Sequence, residues 1–109
     1  MRRKARTHYL VNPSKAPVVQ ALHEIGYRLV DESDLSDVKI VGIDSLHETD
    51  TLAAPDNIPK MAAAMRRGAK FPPIVIEEEG GILKIKDGHH RLHASRLAGY
   101  VEIPVMVLN

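Results

Sequence analysis

The sequence of 109 residues contains no cysteine and no tryptophan, and aromatic side chains make up only 4% of it. The absence of thiols excludes disulfides, thiolate nucleophiles, cysteine-bound zinc and iron–sulfur clusters. The scarcity of aromatic side chains argues against a surface on which the bases of single-stranded nucleic acid stack. Chemistry in this chain must therefore rest on histidines, carboxylates, basic side chains, hydroxyls, backbone amides or a bound metal.

Long apolar runs are also missing from the sequence. No stretch approaches the roughly 18 residues that cross a bilayer. The basic amino terminus is not followed by the apolar segment of a signal peptide. We therefore expect a cytoplasmic protein, and the length fits one compact domain.

Positive charge is concentrated at the amino terminus. Arg2, Arg3, Lys4 and Arg6 belong to the 15 basic residues, whereas all 14 acidic residues lie further along the chain. The body of the chain is therefore slightly acidic and does not form a basic nucleic-acid clamp. We interpret the tail either as a solvated terminus or as a weak, non-specific contact to nucleic acid or another anionic partner.

Apolar periodicity and turn residues predict an alternation of helices and strands. The predicted order is a helix at 17–25, a strand at 38–43, a helix between 57 and 68, a hairpin with strands at 74–76 and 82–86, a helix at 89–98 and a last strand at 101–108. This order predicts the α/β (α+β) class, with a small mixed sheet flanked by helices. Because proline lacks an N–H, the last strand is expected to start near Pro104 or to lie at an edge. Ala94, Leu97 and Ala98 are expected to form the inward face of the 89–98 helix.

Residues 87–96 carry the densest chemistry, with three of the six histidines within five positions. Asp87 and Gly88 follow a predicted strand, and His89, His90 and Arg91 open a predicted helix. Such a turn presents backbone N–H groups and the positive end of the helix dipole. Gly88 allows close approach to the backbone, and Arg91 supplies a fork for phosphate oxygens. The segment therefore predicts an anion site, with phosphate as the anion.

Other interpretations of these residues stay open. Arg91 is unfavourable for the dipole in a first helical turn and calls for a compensating anion. His90 could be a half-buried side chain of the helix face, and Asp87 could cap the helix or accept a proton. His89 and His93 have the spacing of a metal-binding pair, but no third ligand is evident and there is no His-Glu-x-x-His pattern. They are weak metal candidates, and no metal site is assigned.

The segments Pro73–Ile76, Ile85–Arg91 and Ile103–Val105 together resemble the ParB/sulfiredoxin superfamily over about residues 38–109. The resemblance implies a small ParB/sulfiredoxin-like fold whose Gly-x-x-Arg turn, here Gly88 to Arg91, holds nucleotide phosphates. It divides the chain into a basic tail and loop at 1–16, a helix and connector at 17–37, and a phosphate-binding domain at 38–109.

The superfamily includes a centromere-binding CTPase, sulfiredoxins, small-molecule kinases and some nucleases, and the turn looks most like the kinase-type members. In those, a carboxylate after the first strand serves catalysis, which makes Glu48 in the stretch His47 to Asp50 the candidate base. Sulfiredoxins carry a cysteine where this chain has His89, so sulfinic-acid reduction is excluded. ParB has Glu-Arg-Arg after the glycine and a downstream helix-turn-helix domain. We therefore expect neither centromere binding nor a CTP-driven clamp from these 109 residues.

Three hypotheses follow. In the first, the chain is a nucleotide-dependent phosphotransferase or NTPase that takes ATP, ADP or CTP with Mg²⁺, and Glu48 or Asp87 orients or deprotonates the acceptor. In the second, it is a non-catalytic module that binds a nucleotide or DNA. In the third, it is a metal-dependent nuclease that uses His89, His93 and a carboxylate.

Overall fold

A computed structural model describes residues 7–48 and 55–109 of the chain. In chain order the elements are β1 (Leu10–Val11), α1 (Lys15–Glu24), β2 (Lys39–Gly42), β3 (Leu46–His47), α2 (Ile58–Arg66), β4 (Lys70–Phe71), β5 (Ile74–Glu79), β6 (Ile82–Asp87), α3 (His89–Leu97) and β7 (Glu102–Val107). Short 3-10 turns lie at Glu32–Asp34, Ile43–Ser45 and Pro55–Asn57. In the described residues, no helix is long and apolar enough to span a membrane.

The main sheet has five strands in the order β2-β7-β5-β6-β3. β2 and β6 run antiparallel to their neighbours β7 and β5, whereas β5 pairs parallel with β7 and β3 pairs parallel with β6. A separate parallel pair joins β1 to β4. The predicted mixed sheet with flanking helices is therefore confirmed, although the two-residue strands β1, β3 and β4 carry no periodic pattern that would predict them.

Both faces of the main sheet are covered by helices. Ile74 and Ile76 of β5 pack into one core together with residues of α2 and α3, whereas Val75 packs into a second core with Val18 and Leu22 of α1. Successive side chains of a strand point to opposite faces. Burial on both sides explains why β5 opens with a continuous apolar run rather than with an alternating pattern.

The strand containing Pro104 starts near this residue, at Glu102, but it does not lie at an edge, because β7 lies between β2 and β5. The N–H of Leu108 donates to the carbonyl of Ile76 at 2.7 Å. Every second backbone nitrogen of a strand faces the same neighbouring strand, so the nitrogen of Pro104, four residues earlier, also faces β5. Continued by one residue, the register of β7 against β5 places Pro104 opposite Pro73, before β5 begins, so its nitrogen faces the carbonyl of Pro72. That carbonyl accepts a hydrogen bond from the hydroxyl of Tyr9 at 2.6 Å instead. Proline is tolerated here because no ladder bond is lost.

The inward face of α3 differs from the expectation at Leu97, which is 53% exposed. Ala94 is buried and Ala98 packs against the core as expected, and Leu92 and Ser95 are buried as well. The tight turn at Gly88 sets the rotation of the helix about its axis. Leu92 and Ser95 thus share one side, and Leu97 is rotated away from it.

Candidate functional site

The turn between β6 and α3 consists of a single residue, Gly88, with φ 113° and ψ 24°. This backbone conformation favours glycine, and an added Cβ would lie 2.8 Å from Cγ1 of Ile74. Ile74 is completely buried in the central strand β5 and has little room to move. The glycine therefore lets the amino end of α3 approach the sheet more closely than any other residue would allow.

The amino end of α3 has the features of an anion site. Gly88 provides no side-chain cap, and there is no acidic residue in the first turn. The amides at the start of a helix have no acceptor within the helix, and they add a partial positive charge. Nε2 of His89 and Nε of Arg91 are buried without a hydrogen-bond partner. Buried polar atoms without a partner are unusual in proteins, and Nε of Arg91 can only donate, so this end of α3 is suited to a ligand that supplies acceptor oxygens.

Arg91 is held firmly inside the protein. Its Nη2 donates to Oδ2 of Asp87 at 3.2 Å and to the carbonyl of Pro73 at 3.3 Å. Asp87, the last residue of β6 and four positions before Arg91, is therefore the anion that compensates the charge of Arg91. The idea that Asp87 caps the helix is wrong, because Gly88 occupies the cap position and the carboxylate turns to Arg91. These two hydrogen bonds of Nη2 fix the orientation of the whole guanidinium group.

The structure adds Tyr9, which sequence reasoning missed. Its side chain is completely buried, and its hydroxyl donates to the carbonyl of Pro72 at 2.6 Å. Burial raises the pKa of Tyr9 well above its usual value, while the nearby positive charge of Arg91 acts in the opposite direction. Tyr9 precedes β1, and no local motif marks it. Tyr9 reaches this site only because β1 pairs with β4, which lies directly before Pro72 and Pro73.

Glu48 lies directly after β3 and contacts α3 beyond its first turn. Its Oε2 lies 2.6 Å from Nε2 of His93, and its Oε1 accepts a hydrogen bond from Nη1 of Arg96 at 2.5 Å. Partial burial alone would raise the pKa of Glu48, but the hydrogen bonds and charges of Arg96 and His93 outweigh it and lower the pKa. Glu48 is therefore an ionised, fixed carboxylate. The neighbouring residues Thr49 and Asp50 lie outside the described residues.

No group of three or more histidine, aspartate or glutamate side chains that could hold a metal ion is found within residues 7–48 and 55–109. His93 is engaged by Glu48, and Asp87 is engaged by Arg91. The hypothesis of a metal-dependent nuclease thus gains no ligand set from this part of the chain.

The candidate residues form two neighbouring groups along α3. Asp87, Gly88, Arg91 and the added Tyr9 surround the first turn, together with the half-buried His89 and His90 of that turn. Glu48 belongs to the second group with His93 and Arg96, which lie one to two turns further along the same helix. The basic residues at positions 2, 3, 4 and 6 lie outside the described residues, so the predicted contact of the tail with nucleic acid stays a prediction.

The family model of the ParB N-terminal domain matches residues 26–109. A comparison with the curated proteins gave no match.

Three solved structures show the similarity of the fold. The chromosome-partitioning protein ParB of Caulobacter crescentus, in complex with CTP-gamma-S, is 22% identical with a TM-score of 0.55, over 66% of this chain and 44% of that one. Sulfiredoxin of Arabidopsis thaliana is 17% identical with a TM-score of 0.54, over 64% of this chain and 82% of that one. A free serine kinase in complex with AMP is 20% identical with a TM-score of 0.58, over 67% of this chain and 31% of that one. These similarities confirm the ParB/sulfiredoxin-like fold, and the match covers less than half of the ParB and kinase chains.

Proposed function

Because the chain belongs to the ParB N-terminal domain family, we propose that it binds a nucleotide by its phosphates at the first turn of α3, between Gly88 and Arg91. The observation that carries the proposal is the combination at this turn of an uncapped helix start with a half-buried arginine. The first turn contains no acidic residue, and Nε of Arg91 and Nε2 of His89 have no partner. Phosphate oxygens would supply the acceptors that this end of the helix lacks.

The nucleotides carried by similar structures support a nucleotide rather than a simple phosphate. The Caulobacter ParB structure contains CTP-gamma-S, and the free serine kinase has been solved with AMP and, as a variant, with ADP. These proteins share the fold and differ in the base of their nucleotide. We therefore propose ATP, ADP and CTP as the nucleotides to test.

For the reaction we propose transfer of the terminal phosphoryl group to a hydroxyl acceptor or to water. The bond between the terminal phosphorus and its bridging oxygen breaks, and a bond from the acceptor oxygen to that phosphorus forms. The acceptor proton passes to a carboxylate or to solvent. A nucleoside diphosphate leaves when ATP or CTP is the donor, and AMP leaves when ADP is the donor. Glu48 is the group we assign to orient the acceptor hydroxyl, because it is ionised and held on both oxygens by α3.

Mg²⁺ is expected with such a nucleotide, and the described residues do not form a site that would hold it alone. The two candidate carboxylates, Glu48 and Asp87, are each paired with a cation. Mg²⁺ keeps several waters and binds readily through phosphate oxygens. It therefore enters the proposal only as part of a magnesium–nucleotide substrate.

The same pairing of both carboxylates favours a second candidate, a module that binds the nucleotide without chemistry. A carboxylate whose oxygens are engaged by arginine and histidine is a weak proton acceptor, since its pKa is lowered. The two candidates share the phosphate site and differ only in turnover. Release of phosphate or nucleoside diphosphate, measured with free serine and with water as acceptors, separates them.

Isothermal titration with Mg-ATP, Mg-ADP and Mg-CTP tests the shared phosphate site. Wild-type protein is expected to bind at least one of them, and Arg91→Lys should raise the dissociation constant about tenfold, because lysine lacks the planar fork that Asp87 and Pro73 hold. The matched control is Arg67→Lys at the exposed end of α2. It should change the dissociation constant by less than about twofold. Absence of binding at millimolar nucleotide, or equal affinity in Arg91→Lys, would overturn the proposal.

A further inference from the structure

We propose that Tyr9 is a positioning residue for the nucleotide phosphates, because its buried hydroxyl fixes the carbonyl of Pro72, next to the Pro73 carbonyl that holds Arg91 beside the amino end of α3. The inference rests on the proposed phosphate site and extends it to the segment before residue 26, where the family match begins. Tyr9 would not contact the ligand. It would act by fixing the side chain that does.

The ring of Tyr9 is immobilised from several directions. It packs edge-on against Phe71, with ring centroids 6.1 Å apart and an angle of 85° between the planes. Its backbone leads directly into β1, which pairs with β4, and the N–H of Asn12 donates to the carbonyl of Phe71 at 2.9 Å. On the other side, the carbonyl of Thr7 accepts from the N–H groups of Val101 and Glu102 at 3.2 and 3.0 Å. The phenol therefore reaches the site from a fixed backbone.

The hydroxyl fixes the backbone on which Arg91 is anchored. Its hydrogen is donated to the carbonyl of Pro72 at 2.6 Å. Nη2 of Arg91 donates to the next carbonyl, that of Pro73, at 3.3 Å. Tyr9 and Arg91 are therefore anchored on two consecutive carbonyls at the entry to β5, and neither can turn without breaking a buried bond.

The neutral phenol and the charged Asp87 hold Arg91 in different ways. Asp87 pairs with the guanidinium and reduces its net positive charge towards a ligand. Tyr9 is a neutral phenol, so it fixes the backbone that binds the guanidinium while leaving the positive charge available to phosphate. Loss of the hydroxyl would leave the carbonyl of Pro72 unsatisfied and would loosen the neighbouring carbonyl that holds Arg91. An arginine released in this way loses the pre-organisation that favours binding.

Tyr100 offers a matched control for a purely structural effect. It is also buried, and its hydroxyl donates to a backbone carbonyl, that of Met65 in α2, at 3.1 Å. Replacement of either tyrosine by phenylalanine removes one oxygen and one buried hydrogen bond. Both variants should thus lower the melting temperature by a similar amount, whereas only Tyr9→Phe should change binding at α3.

The experiment is a double-mutant cycle with Tyr9→Phe, Arg91→Lys and the combined variant, with Tyr100→Phe as control. Mg-ATP, Mg-ADP and Mg-CTP are titrated into each folded protein, and melting temperatures are recorded without nucleotide. Tyr9→Phe is expected to raise the dissociation constant about five- to tenfold, and Tyr100→Phe less than about twofold. In the Arg91→Lys background the effect of Tyr9→Phe should nearly vanish, because Tyr9 acts through Arg91.

The outcomes separate this inference from the proposed function. If wild-type protein binds no nucleotide, both fall together. If wild-type protein binds and Tyr9→Phe binds equally well, or if Tyr9→Phe and Tyr100→Phe are weakened equally, only the role of Tyr9 is overturned. An undiminished effect of Tyr9→Phe in the Arg91→Lys background also overturns it. If Tyr9→Phe does not fold, Phe71→Leu loosens the ring but keeps the hydroxyl, and unchanged binding in that variant overturns the inference.

Discussion

Oε2 of Glu48 lies 2.6 Å from Nε2 of His93, a contact that joins the end of β3 to the second turn of α3 across 45 positions of sequence. Arg96 holds the other carboxylate oxygen. Since a helix rises about 1.5 Å per residue, His93 lies about 6 Å along the axis from His89 in the first turn. Glu48, the carboxylate that we assign to the acceptor, is thus held about one helical turn beyond the proposed phosphate site.

Glu48→Gln should lower phosphoryl transfer strongly and leave nucleotide binding nearly unchanged. An amide cannot accept from His93 and Arg96 on both atoms, and it carries no charge, so the acceptor hydroxyl would lose its orienting group. We expect turnover to fall about 100-fold or more, with a change in dissociation constant below about twofold. Steady-state release of nucleoside diphosphate and isothermal titration measure the two quantities.

The control for this prediction is Glu79→Gln, at the tip of the hairpin, where the carboxylate forms a comparable pair with Lys84 at 3.2 Å. It should leave turnover unchanged. If Glu48→Gln retains wild-type turnover, or loses stability and binding in parallel, Glu48 is a structural cross-link between β3 and α3 and does not act on the acceptor.

Gly88→Ala should destabilise the protein more than the same change at another left-handed glycine. At Gly88 the new Cβ would lie 2.8 Å from the buried Cγ1 of Ile74, whereas a Cβ at Gly99, with φ 88°, would meet nothing within 4 Å. Gly99→Ala therefore costs only the backbone conformation, about 1–2 kcal/mol. Gly88→Ala adds a clash with the central strand, which brings the loss to roughly 3 kcal/mol or more. Urea unfolding of both variants checks the order, and equal losses would contradict the close approach of α3 to β5.

Local sequence signals predicted the elements around the turn well. Apolar periodicity and the turn expected at Asp87 and Gly88 depend on neighbouring residues, and the structure has β6, then Gly88, then α3 at these positions. The order of strands depends on contacts between distant segments, so the sequence could not show that the strand of Pro104 lies between two others. The proline rule considers the missing N–H, but the register of β7 against β5 decides whether an acceptor would face it at all.

The candidate site likewise contains one contact that local spacing could predict and one that it could not. Asp87 and Arg91 are four residues apart, so their pairing could have been expected from helix spacing in place of a cap. Tyr9 reaches the same turn from the beginning of the chain, and its hydroxyl contacts Pro72 across 63 positions. A single sequence contains no spacing rule for such a contact, because it depends on the packing of β1 against β4.

Asp87→Asn should strengthen nucleotide binding while it weakens the fold. The carboxylate is only 24% exposed and pairs with Arg91, so its loss should cost about 1–2 kcal/mol of unfolding free energy. The same negative charge opposes phosphate at the amino end of α3, so its removal should lower the dissociation constant about three- to tenfold. Glu77→Gln on β5, whose carboxylate lies 3.9 Å from Lys86, makes the same change in charge elsewhere and should alter affinity less than about twofold. Weaker binding in Asp87→Asn would show that Asp87 assists the ligand directly.

The buried phenol of Tyr9 should make the stability of the fold fall at alkaline pH. Burial raises the pKa of Tyr9 above its usual value near 10. The folded state therefore keeps this proton at pH values where the unfolded chain has lost it. The stability that the neutral phenol contributes is fully present below about pH 10 and is lost as the pH rises through the folded-state pKa.

We therefore expect the free energy of unfolding of wild-type protein to fall more steeply between pH 10 and 11.5 than that of Tyr9→Phe, by up to about 1.4 kcal/mol per pH unit for one proton. Val18→Ala is the control, because it weakens the core beside α1 without removing an ionisable group. Val18→Ala should lower the free energy of unfolding at every pH and leave its slope with pH as in the wild type. Equal slopes for wild type and Tyr9→Phe would mean that the phenol is not sealed in the interior beside Pro72, and that it does not anchor the backbone that holds Arg91.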